Sequence, residues 1–150
     1  MSHIAAALTI AASFTWLGMV LGVSCLEAPL KFRALRAAGE APADVTRLGV
    51  SIGRVVFRAL NIAEVALAAV IVVVVAVGSP TVFVAVSAAA VVALLVVQLA
   101  AVRPVLNRRS ARVLAGQNPP RSRAHHLYLG LELLKVAALI TLGIAGLRAI

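Results

Sequence analysis

An all-α, polytopic membrane bundle of four helices is the fold this sequence predicts, and three observations predict it. Hydrophobic residues make up 63% of the chain and charged residues only 13%, with a mean hydropathy of +1.08, beyond what a soluble domain of this length uses. Four apolar stretches, at about residues 4–26, 54–77, 81–102 and 125–146, each offer the ~20 residues that cross ~30 Å of hydrocarbon. The basic residues gather in two of the three connections between those stretches and are missing from the other. The length leaves no room for a separate soluble domain, so residues 1–150 are expected to form one integral membrane domain.

The first span follows His3 and precedes Lys31, Arg33 and Arg36, which is the reverse of a secretory signal. Leu21-Gly22-Val23-Ser24-Cys25 only faintly approaches a lipoprotein cleavage box, because the leucine is one place early and a basic start is missing. Ser13, Trp16, Val20, Ser24 and Glu27 share one face of this helix. Gly18 and Gly22 form a small-xxx-small pair on the opposite face, which makes a homodimer through them an expectation and packing within one subunit its alternative. From Glu27 to Gly53 the chain turns basic around the breakers Pro29, Gly39 and Pro42, and an aqueous loop, helical in parts, is expected.

The second span opens with Arg54, Phe57, Arg58, Asn61 and Glu64 at helical spacing. Its run Ile71-Val72-Val73-Val74-Val75 would favour a strand in water, but unbroken apolar length in a bilayer demands the internally bonded helix. Gly78-Ser79-Pro80 makes the next turn. The third span carries Ser87 and Gln98 on one face and ends at Arg103-Pro104, before a basic run closed by Asn118-Pro119-Pro120. In the last span His125, Tyr128, Glu132 and Lys135 fall within one narrow arc, continued by Leu139, Gly143 and Gly146. A charge facing lipid costs roughly 2.5 kcal/mol or more, so this arc should face other helices or a wet cavity.

Of the 14 Lys and Arg residues, all but Lys135 and Arg148 lie in or beside the first and third connections. The positive-inside rule therefore predicts both basic connections in the cytoplasm and both termini on the non-cytoplasmic side, and the cell inner membrane is the expected location. Pro29 and Pro104 each close a first-half span, arginine follows each four residues on, a glycine follows (Gly39, Gly116), and Glu64 and Glu132 hold matching places. This similarity suggests a duplicated helical hairpin, the copies related by an axis along the membrane normal.

Depth arithmetic pairs the charges. Glu64 stands ten positions after Arg54 and Lys135 ten after His125, so both sit ~15 Å from the basic ends of their helices, and Trp16 falls near that level. Arg58, Asn61, Gln98, Tyr128 and Glu132 form an expected second layer, and Glu27, Lys31, Arg54 and His125 a third at the mouth. The expected ion pairs are Glu64–Lys135 and Arg58–Glu132.

The net charge of +9 does not imply nucleic acid, because the basic residues flank spans instead of covering a soluble face. No cofactor or metal is expected: haem would need histidines on facing helices at one depth, and the adjacent His125 and His126 diverge by ~100°. The lone Cys25 excludes an internal disulfide. Walker loops, nucleophile elbows and paired metal-ligand carboxylates are all missing, and acid–base chemistry by Glu132, Tyr128 and His125 is the remaining enzymatic reading. Two non-enzymatic classes stand ahead of it. One is a transport or channel-like bundle passing a small solute or ion along the charged interior, and the other an accessory or scaffold protein whose buried pairs only fix packing.

Trp16-Leu17-Gly18 in the first span, Arg54-Val55-Val56-Phe57 opening the second, and His126-Leu127-Tyr128 followed by Glu132 opening the last resemble the layout of small bacterial four-helix membrane proteins. That layout is similar to the transmembrane protein 205 family and is shared in outline by DoxX-like and anthrone-oxygenase-like proteins. The resemblance implies four spans and a membrane location. It implies no reaction and carries over no site residue.

Overall fold

Proline and glycine decide where these helices start, widen and stop. The computed structural model describes residues 1–117 and 123–149, without the side chains of residues 123–125. Its elements are α1 (His3–Leu21), α2 (Ala28–Ala37), α3 (Pro42–Val77), α4 (Val82–Val97), α5 (Arg103–Leu114) and α6 (Arg123–Leu147). Ser2 caps α1 by accepting from the Ala5 N–H at 3.2 Å, and Thr81 caps α4 by accepting from Val84 at 3.4 Å.

Two π-helical turns, Gly22–Glu27 and Gln98–Val102, join α1 to α2 and α4 to α5. Each lies just ahead of a proline, Pro29 or Pro104, that sits in the first turn of the following helix. A proline inside a helix lacks the N–H for the carbonyl four residues back and crowds it, so a widened turn accommodates the ring without ending the helix. Four continuous helices result among the described residues, His3–Ala37, Pro42–Val77, Val82–Leu114 and His126–Leu147, all long and apolar enough to cross a membrane. No strand occurs among these residues, and Ile71–Val75 is helical.

The expected loop from Glu27 to Gly53 is therefore mostly helix. α2 carries the first helix down to Ala37, and α3 restarts at Pro42, with proline at a first-turn position where its missing N–H is harmless. Gly39 stands between them at φ +80°, with its N–H on Arg36 O and the Glu40 N–H on Leu35 O, a Schellman cap that needs the left-handed conformation. Gly116 ends α5 in the same way at φ +78°. The matched prolines and glycines noted in the sequence thus do the same two jobs in both halves.

The helices close into a bundle in which α1 packs chiefly on α6 and α3, and α4 on α6. Its core runs along the shared axis: Trp16 and Val20 from α1, Ile71 from α3, Val84 and Val91 from α4, Leu139 and Leu142 from α6. α1 and α6 approach closely because Gly143 and Gly146 leave room for Phe14 and Ile10. Val77 and Val82 are 81% and 80% exposed, and Ile4, Ile62, Val73 and Leu133 also point outward, an apolar girdle suited to lipid. Around Gly18 and Gly22 an added Cβ would meet nothing, so these glycines do not serve packing within the subunit.

Candidate functional site

Five side chains from four helices converge in the middle of the bundle. Trp16 comes from α1, Glu64 from α3, Gln98 from the second π turn, and Glu132 and Lys135 from α6; none is more than 3% exposed. Lys135 has three ammonium protons and stands among three side-chain oxygens. It donates to Glu64 Oε1 and to Gln98 Oε1 at 2.8 Å, and pairs with Glu132 Oε2 at 3.0 Å. Trp16 Nε1 donates to the same Glu64 Oε1 at 2.9 Å, and Gln98 Nε2 donates to Glu132 Oε2. Gln98 therefore ties together two levels that depth arithmetic keeps apart.

The cluster is satisfied on one side only. Two carboxyl groups share one ammonium, and among the described residues Glu64 Oε2 and Glu132 Oε1 are buried without a hydrogen-bond partner. Unused acceptors on buried acids are costly. Acid, amine and amide lie within direct reach of one another, so a proton arriving at either carboxyl could be passed across Lys135.

Toward the basic end the wall changes. Tyr128 stacks edge-on against Phe57 at 5.8 Å between ring centroids, and its hydroxyl is buried. Arg103 donates from Nη2 to the Phe57 carbonyl at 2.6 Å and lies 5.2 Å over the Phe57 ring. Tyr128, Phe57 and Arg103, with Ser24, Ala28, Leu106 and Leu129, surround a pocket of about 230 Å³. Arg103 also lines a second pocket of about 360 Å³, together with Arg54, Arg58, Asn61, Leu99 and Asn107. At the mouth, Lys31 bridges to both oxygens of Glu27 at 3.1 Å and stands 5.5 Å and 5.9 Å from the rings of Phe32 and Phe57.

Trp16, Glu64, Gln98, Glu132 and Lys135 form the central cluster, Tyr128 and Asn61 stand below it, and Glu27 is at the mouth. The expected Arg58–Glu132 pair does not form. Glu132 turns to Lys135 and Gln98, while Arg58 is exposed and lines the second pocket with Arg103. The His125 side chain lies outside the described residues. Sequence reasoning missed Arg103 and Phe57. Arg103 reads as one more orientation charge, and the signal that singles it out is its place next to Pro104, at the end of a span that also carries Gln98. Among the described residues no three His, Cys, Asp or Glu side chains gather as a metal site. Comparison with protein-family models, with curated proteins and with solved structures gives no match to this chain.

Proposed function

We propose that this chain, laid out like the transmembrane protein 205 family, is a multi-pass protein of the cell inner membrane that takes a small charged solute or ion into its interior from the end bearing the basic helical hairpins. That end is assigned to the cytoplasm, with both termini outside. The observation that carries the proposal is the incomplete pairing of the cluster: two buried acids share one lysine, and each keeps an unpartnered oxygen. A cluster selected only to fix packing gains nothing from such orphans, whereas a site that exchanges protons or ions with a pathway needs them. The scaffold reading has one observation in its favour, the complete burial of the Glu64–Lys135 pair.

Access from one side separates the two. In a Cys25→Ser background, Asn61→Cys and Tyr128→Cys are expected to react with a small charged thiol reagent applied from the basic end. Leu139→Cys, at a fully buried apolar position deeper in the bundle, should stay inert from both sides. If both Asn61→Cys and Tyr128→Cys are inert from both faces, the interior is sealed and the scaffold reading stands instead.

Orientation is checked in the same background. Single cysteines at the exposed positions Ala43 and Ala115, which flank the basic hairpins, should be labelled only from the cytoplasm. Labelling of either in intact cells by an impermeant reagent would reverse the assignment.

A further inference from the structure

We propose that Arg54, Arg58 and Arg103 form a binding site for a phosphate ester at the basic end of the bundle. Arg54, Arg58 and Asn61 follow one another at helical spacing on α3, and Arg103 and Asn107 stand four residues apart on α5. The two helices present these rows to a common pocket of about 360 Å³, within the ~300–1,000 Å³ typical of small-ligand sites. Three features distinguish it from a set of charges that only orient the chain.

No carboxylate lines the pocket, and among the described residues none of its arginines has an ion-pair partner. Arg47 on the same helix, by contrast, pairs with Asp44 at 3.4 Å. Arg103 is held in place by the Phe57 carbonyl and ring, while among the described residues its buried Nε has no acceptor. A guanidinium fixed at one edge with an N–H still unused is preorganised for an oxyanion, and its planar fork matches phosphate oxygens two at a time. Asn61 Oδ1 is likewise buried without a partner among the described residues, an acceptor suited to a ligand hydroxyl.

Phosphate beside a hydroxyl is the chemistry of a glycerol phospholipid headgroup and equally of a soluble glycerol phosphate. The site does not depend on whether the interior conducts. Arg54 and Arg58 are exposed, so replacing them leaves the core untouched.

The test has two arms, each read by thermal unfolding. The full chain, exchanged into zwitterionic detergent free of acidic lipid, is titrated with glycerol 3-phosphate. In parallel it is placed in phosphatidylcholine nanodiscs with graded phosphatidylglycerol. In at least one arm the ligand should raise Tm, and Arg54→Gln with Arg58→Gln should weaken the apparent affinity about tenfold or more, since each lost bidentate contact is worth about that factor. Arg33→Gln with Arg108→Gln, exposed and outside the pocket, should leave it unchanged. A response in the lipid arm alone assigns the headgroup, in the soluble arm alone the free ester, and in both a site open to either. No response in either arm, or equal losses in the two double variants, overturns the site.

Discussion

Lys135→Met is expected to destabilise the protein by about 3–5 kcal/mol, clearly more than Glu64→Gln, because the two residues are not symmetric partners. Removing Lys135 strips the shared ammonium from two buried acids and leaves Glu64 and Glu132 as neighbouring carboxyls without an ion-pair partner among the described residues. Glu64→Gln keeps an oxygen for the Trp16 N–H and leaves Lys135 with Glu132 at 3.0 Å, so a loss of about 1–2 kcal/mol is expected. In the double variant Lys135→Met should do less harm than in the wild type, since one stranded carboxyl remains instead of two. A coupling of about 0.5–3 kcal/mol should emerge from denaturant titrations of the four proteins in detergent. Additive losses would contradict the shared cluster, and equal losses in the two single variants would show that Glu132 does not share the lysine.

Gly143→Leu and Gly146→Leu should each lower stability by about 1–3 kcal/mol, whereas Gly18→Leu with Gly22→Leu should leave the monomer's stability unchanged. A Cβ at Gly143 would stand 2.8 Å from the Phe14 ring, and one at Gly146 2.8 Å from Ile10 Cγ1, with the Ala6 carbonyl at 3.8 Å behind it. The larger leucine must force α1 and α6 apart, and these two helices share the most extensive contact in the bundle. At Gly18 and Gly22 there is nothing to displace within 4 Å. We propose that the chain forms a homodimer through this open pair, so size-exclusion with light scattering should show the wild type as a dimer and the Gly18/Gly22 variant as a folded monomer. Unfolding of that variant would contradict the open face, and an unchanged dimer would remove this surface as the interface.

The number of spans and the level of the central charges were readable from the chain alone, because bilayer thickness and a rise of ~1.5 Å per residue are the same for every helix. Glu64, Lys135 and Trp16 come to one level for that reason, and a buried indole N–H then finds its acceptor. Rotation about each axis and the order of neighbours are different matters, since one helix's periodicity does not say which helix lies beside it. The small-xxx-small pair at Gly18 and Gly22 looks like a packing motif in sequence, yet the close approach falls at Gly143 and Gly146, opposite Phe14 and Ile10. Arg103 shows the limit most directly. In a regular α-helix it would lie about 140° around the axis from Gln98, five residues earlier, and so on another face. The π turn at Gln98–Val102 bonds five residues apart and brings Arg103 roughly one turn below Gln98 on the inner side, where it meets Phe57. That widened turn, with α3 packed beside it, gave Arg103 the interior place expected for Arg58, and only the tertiary structure could decide it.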